Sequence, residues 1–194
     1  DLCLVGSEMC IRDRTEAVHE HGALAAIELT HSGHNAINLY SRIPTMSAVD
    51  HPINFLYPKQ ARKMSKKDIA NFRMWHRNAA LNAKEAGFDI VYVYAGHGMS
   101  VAQQFILPNM NTRSDEYGGS LENRIRLTRE LLEETVEAIG DSCGVAFRFA
   151  VDELKGKDGM QFQEEGKAVV ELLAEHPDLS VSYTHLTLPT MVQV

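Results

Sequence analysis

Cysteine is scarce in this sequence: Cys3, Cys10 and Cys143 are the three among 194 residues. No two stand at the short spacing of a zinc site, and three cannot make an even disulfide framework, so a reducing, cytoplasmic setting is expected. Positive charge is the minority sign, with 19 Lys and Arg against 26 Asp and Glu for a formal charge of −7. A polyanion such as DNA finds no basic field here, and nucleic acid is not an expected partner. Long apolar runs are missing too. A stretch such as residues 90–95 falls far short of the roughly 18 residues a membrane span needs, so no membrane association is expected. With 44% hydrophobic and 23% charged residues, the remainder has the composition of one globular domain rather than a disordered chain.

What is present has a repeated grammar. Three short apolar runs, residues 24–29, 89–94 and 144–149, are each followed by a polar loop and then a longer stretch with helical period. Runs rich in Val, Ile, Phe, Tyr and Ala read as parallel strands covered on both faces. Ser65 with Asp68 resembles a capping box. Ile69, Phe72, His76, Ala79, Ala80 and Ala83 then recur at helical spacing up to a stop at Gly87. Ser120 is expected to cap a second helix with Leu121, Ile125, Thr128, Leu132, Val136 and Ile139 on one face, ending at Gly140. A third helix is expected over about 163–174, and Trp75 is expected to pack on a neighbouring layer. The connection from Ser32 to Ser65 is long and holds Pro44, Pro52 and Pro58, which marks a functional excursion rather than a linker.

The two ends do not share this grammar. Residues 7–14 (SEMCIRDR) and 181–190 (VSYTHLTLPT) look like translated sequencing-adapter text, the alternatives being an ordinary N-terminal extension and a C-terminal strand. On the adapter reading, residues 1–14 and 181–194 are non-homologous and the informative chain is 15–180, roughly 165 residues. A complete (β/α)₈ barrel needs about 250, so the expected fold is α/β, a partial TIM barrel of about strands three to five with their helices. A fragment left with open strand edges is also expected to associate.

In such a barrel, chemistry sits where strands end and inward side chains meet the following loops. Alternation puts Leu24, Ala26 and Glu28 on one face of the first strand, Ile90, Tyr92 and Tyr94 on one face of the second, and Ala146, Arg148 and Ala150 on one face of the third. An acid, a phenol and a guanidinium at neighbouring exits make a floor for a cofactor and a substrate. Plainer readings stay open: Glu28 and Arg148 could be no more than an ion pair, and Tyr92 and Tyr94 core aromatics. His97, three residues after Tyr94, is placed to hydrogen-bond and tune the phenol. His19, His21, His31 and His34 invite a metal reading, but the first pair precedes a strand and the second follows it, so the pairs stand about 20 Å or more apart. No metal site is expected. Ala95-Gly96-His97-Gly98 is not a dinucleotide fingerprint, since the third glycine and the following acid are missing.

The strings NTRSDEYGGSLENR (111–124), AGFDIVYVYAGH (86–97) and FRFAVDE (147–153) closely resemble the old yellow enzyme, or NADH:flavin oxidoreductase, family of FMN-dependent TIM barrels. The resemblance covers residues 15–180 and implies that the family's first two and last three strands are absent. Ene-reductases commonly place His or Asn where Tyr94 stands. The pattern Tyr-x-x-His, Tyr94 and His97, together with ELTHSGHNAINLYSR (28–42), is similar to the branch of trimethylamine, dimethylamine and histamine dehydrogenases and N-methylproline demethylases. That resemblance implies FMN as cofactor, with Glu28 and Arg148 at the isoalloxazine and Arg148 lending positive charge near N1 and the C2 carbonyl. It implies Tyr94 and His97 as catalytic groups in the substrate pocket, a small N-methylated amine as substrate, and a separate electron acceptor. The phosphate-gripping loops and the 4Fe-4S cluster of that branch map beyond this chain, so Cys143 reads as a structural thiol and the DEYGGSLENR string as a structural turn. Two other functions remain, an NAD(P)H-dependent ene-reductase of the same family and a non-catalytic barrel fragment.

Overall fold

A computed structural model describes the backbone of residues 2–36, 43–53 and 59–184, and side chains within 11–36, 43–50 and 61–184. The element order is α1 (Leu2–His19), β1 (Ala26–Leu29), β2 (Met46–Ser47), β3 (His51–Ile53), β4 (Lys59–Lys63), α2 (Lys66–Glu85), β5 (Ile90–Ala95), α3 (Val101–Ile106), α4 (Leu121–Arg124), α5 (Arg126–Ile139), β6 (Gly144–Asp152), α6 (Lys167–Leu173) and β7 (Leu179–Thr184). One sheet has the order β1-β5-β6-β7 with every pair parallel, and the strands follow one another in the chain with helices between them. This is part of a TIM barrel. The three expected strands are there and parallel, and β7 adds a fourth that begins at the end of the 15–180 stretch and runs into residues 181–184.

The outer sheet face carries the core. Val91, Val93, Val145, Phe147, Phe149 and Val151 meet Ile69, Phe72, Ala80 and Ala83 of α2 and Leu127, Leu131, Leu132 and Ile139 of α5 in one apolar cluster. The α2 start follows its sequence signal: the Ser65 hydroxyl accepts from the Asp68 backbone N–H, and the Asp68 carboxylate accepts from the Ser65 N–H. Gly87 follows at φ +86°, the left-handed conformation in which a helix commonly stops.

Five expectations need correction. The strand starts at Ala26, not Leu24, because the Asp89 carboxylate takes the Ala25 N–H at 2.7 Å, and Leu24 is exposed. The second helix breaks at Ile125 into α4 and α5, where the Arg124 side chain turns in to Gly119 O and Ile106 O. Val136 is exposed because each i+4 step gains roughly 40° on the helix period, so Thr128, Leu132 and Val136 walk off the buried stripe that Thr135 and Ile139 continue. The third helix opens as a π-turn, Phe162–Gly166, before α6; Gly166 lies so close to β6 that a Cβ there would meet Val151 O at 2.0 Å. Trp75 is 46% exposed, one position off the stripe that buries His76.

The long connection is indeed an excursion. Its residues form a small sheet, β2-β4-β3, laid beside the loops at the strand C-termini, while residues 37–42 of the 28–42 string and Pro58 lie outside the described residues. Arg113, with its side chain 1% exposed, holds this sheet down by donating to Ala48 O and Met64 O, both at 2.8 Å, while pairing with Asp115 at 2.6 Å. Asn111 donates to Phe105 O and Tyr117 O, which closes the turn, and Gly119 takes φ +83° in it. The DEYGGSLENR string makes this turn and then the short helix α4. Cys143 is buried with its thiol on Phe88 O, away from the strand C-termini.

Between α2 and α5 the His76 imidazole is buried, its Nε2 without a hydrogen-bond partner, and burial pushes its pKa down to about 4. The fold keeps it neutral, whereas the unfolded chain protonates it near 6.5. Its contribution is complete above pH 6.5 and is lost as pH falls from there toward 4, on the order of 3 kcal/mol at the acid end. Burial lowers His31 in the same sense. Urea midpoints measured between pH 7 and pH 4.5 should therefore fall steeply in the wild-type chain and less steeply in His76→Leu; equal slopes would exclude His76 as the source.

Candidate functional site

The inner sheet face differs in kind from the outer one. Register sets Glu28 opposite Tyr92, Tyr94 opposite Arg148, and Arg148 opposite Val181, so the polar ends of three strands lie in adjacent rows. Glu28 and Arg148 reach across β5 and meet at 2.8 Å. Each side chain is about one-third exposed, and a pair this wet contributes at most about 1 kcal/mol to stability. The pair lies on an open surface, where Ala26, Ile27, Tyr92 and Val181 complete a shallow hollow of about 410 Å³. The Arg148 guanidinium also lies over the Tyr94 ring, 5.5 Å from its centroid, and over the Tyr183 ring at 5.0 Å.

Tyr94 is buried to 7% exposure at the strand end and hydrogen-bonds His97 Nδ1. The Tyr183 hydroxyl lies 3.2 Å from the same nitrogen and 3.5 Å from the Tyr94 hydroxyl. Burial, then the Tyr183 hydrogen bond, raises the Tyr94 pKa far above its ordinary value, and burial raises Tyr183 as well. Both stay phenols at any physiological pH.

The turn that brings the imidazole back over the strand is unusual. His97 has φ +58° and Gly98 φ +64°, and the left-handed conformation costs a non-glycine residue about 1 kcal/mol. Gly96 is required, because a Cβ there would sit 1.8 Å from the Tyr183 hydroxyl and 2.9 Å from Tyr94 Cε2. Strained residues held by surrounding structure cluster where function needs a fixed geometry.

All four residues nominated from sequence, Glu28, Arg148, Tyr94 and His97, thus gather on one face and its rim. Tyr183 was not nominated, since it falls in the 181–194 segment set aside as adapter-like; the alternation Leu179, Val181, Tyr183 was the signal for a strand there. Among the described residues no group of His, Cys, Asp and Glu is arranged to hold a metal ion, and no helix is long and apolar enough to cross a membrane.

The model of the NADH:flavin oxidoreductase / NADH oxidase family matches residues 10–193. The solved structure of 6-hydroxypseudooxynicotine amine oxidase from Pseudomonas geniculata N1 superposes with a TM-score of 0.86 at 45% identity, over 90% of this chain and 26% of that one. Dimethylamine dehydrogenase of a Hyphomicrobium species is 33% identical over 87% of this chain and 24% of its own length. A plant relative, 12-oxophytodienoate reductase 7 of Oryza sativa subsp. japonica, is 34% identical over 90% of this chain and 48% of its own length. The chain thus spans a quarter to a half of these relatives.

Proposed function

Because the chain belongs to the NADH:flavin oxidoreductase / NADH oxidase family of FMN-dependent oxidoreductases, we propose that the enzyme carrying these strands oxidises a small N-methylated amine, with a separate electron acceptor. Identity to the dehydrogenase and to the plant reductase is nearly equal, so the choice between amine and alkene rests on the site. The observation that carries it is the buried Tyr94 phenol on His97 Nδ1.

The inner-face residues fit a flavin. The pyrimidine edge of an isoalloxazine presents an N–H donor between carbonyl acceptors, and Glu28 can only accept at neutral pH while Arg148 can only donate. Their open position above an apolar hollow leaves both able to meet such an edge. Glu28 and Arg148 would hold FMN, which when bound supplies the acceptor for a hydride equivalent. Arg148 then contributes fixed positive charge where the reduced ring gathers negative charge.

Tyr94 and His97 handle the proton. An amine is an ammonium ion near neutral pH, and its C–H bond yields a hydride only when the nitrogen lone pair is free. The ammonium proton passes to Tyr94 Oη as the Tyr94 proton passes to His97 Nδ1, so the buried phenol never carries a net charge. Loss of hydride from the carbon beside nitrogen leaves an iminium, and water hydrolyses it to an aldehyde and a shorter amine. An ene-reductase pocket needs instead neutral donors aimed at a carbonyl or nitro oxygen.

Stopped-flow flavin reduction in the full-length enzyme tests the assignment. A panel of secondary and tertiary N-methylamines should bleach the flavin anaerobically, while NAD(P)H with enones should give no turnover. If the enones turn over and every amine leaves the flavin oxidised, the protein is an alkene reductase.

A further inference from the structure

The left-handed backbone of the His97 turn is held from outside by two neighbouring amides on α3. Gln103 and Gln104 are both fully buried. The Gly98 N–H donates to Gln103 Oε1. The Gly98 carbonyl accepts from Gln104 Nε2 at 3.3 Å and from Asn35 Nδ2 at 3.4 Å. Both backbone polar groups of Gly98, the residue after His97, are therefore tied to side chains that are not part of the turn.

Gln104 also reaches further. Its Nε2 donates to Ser32 O at 3.4 Å, and its Oε1 accepts from Ser47 Oγ at 3.2 Å and from the His34 N–H at 3.4 Å. One amide thus joins the loop after β1, the small sheet and the turn after β5. The loop after β1 is shaped around it: Gly33 has φ +54°, and a Cβ there would stand 2.1 Å from Gln104 Oε1.

We propose that Gln104, supported by Gln103, is the positioning residue that fixes the Gly98 peptide and thereby holds the His97 imidazole on the Tyr94 phenol. Its hydrogen bonds go to Gly98, Ser32, His34 and Ser47, so its route to the relay runs through the Gly98 backbone, and its catalytic consequence rests on the proton-relay reading above. Ser47, Ser32 and His34 set the amide from the far side, so the small sheet and the loop after β1 both bear on the geometry of the relay.

The test reads the imidazole directly. Long-range ¹H–¹⁵N spectra of this chain, with His97 assigned by His97→Gln, report the state of Nδ1. Gln104→Met keeps the volume and removes every amide hydrogen bond, and Gly33→Ala pushes the amide from the opposite side. Both should shift His97 Nδ1 in the same direction, toward the value of Tyr94→Phe, where the Tyr94 hydroxyl is gone and the Tyr183 hydroxyl stays. Ser47→Ala removes one hydroxyl from a folded sheet and should give a smaller shift of the same sign, which keeps the test readable if the other two unfold. His97 resonances that overlay the wild type in every variant with a native-like amide spectrum would overturn the proposal. In the flavin-bearing full-length enzyme, Gln104→Met should lower the limiting rate of flavin reduction about tenfold, a fraction of the full acid–base contribution, with little change in KM. A shifted imidazole beside amines that never reduce the flavin would fault the relay chemistry and leave the positioning role standing.

Discussion

Replacing the Tyr94 hydroxyl alone, in Tyr94→Phe, should slow flavin reduction by amine on the order of 10²-fold in the full-length enzyme. The ring, its burial and the overlying Arg148 guanidinium stay in place, so the loss isolates the proton-transfer group. Without the phenol, an ammonium substrate loses its route through Tyr94 Oη to His97 Nδ1 and gives up its proton to solvent first. The rate should then climb with pH in step with the fraction of free amine, so the variant approaches wild type under alkaline conditions. A variant that is slow by the same factor at every pH would assign Tyr94 to substrate positioning instead. A variant as fast as wild type would remove it from the chemistry.

Arg148→Leu should strip the proposed flavin floor of its only cation among the residues lining the hollow, and leave Glu28 without its partner. A unit charge at about 4 Å in a half-wet site is worth up to about 4 kcal/mol, and 1.4 kcal/mol corresponds to roughly 30 mV for a two-electron couple. The midpoint potential of the bound flavin should therefore drop by tens of millivolts, and flavin should leave during gel filtration where the wild type retains it. Glu28→Gln in the same background should recover part of the retention, since it removes the unpaired negative charge. A potential and a flavin content both at wild-type values would take Arg148 out of the floor.

The strands and the convergence of Glu28, Tyr94 and Arg148 were legible because parallel β-strands obey a period of two and the βα order makes sequential strands neighbours. Tyr94 with His97 was legible as a spacing, since three residues after a strand end is a distance one turn can close. The left-handed backbone that closes it was not, because the glycines on either side mark a flexible turn without saying which residue bends. Gln103 and Gln104 were invisible for a related reason: two adjacent amides on a short helix have no pattern of their own, and their partners are separated from them by as much as 72 residues. The break at Ile125 was hidden by an unbroken apolar period on both sides of it. The Arg124 contacts at that bend, to Ile106 and to Glu165 beyond β6, are tertiary and leave no local mark.

The Arg113 anchor has a consequence for the order in which the chain assembles. Ala48 O and Met64 O are 65 and 49 residues away from the guanidinium that satisfies them, so the small sheet cannot dock until the loop after β5 has closed its own turn. Docked through that guanidinium rather than through a strand ladder shared with the βα frame, the small sheet is a unit that can open by itself, and its opening carries the Ser47 end of the amide cluster away from the relay. Amide exchange at Arg62 and Met64, whose N–H groups bond Thr45 O and Ser47 O, would follow the opening of that unit rather than the unfolding of the whole sheet.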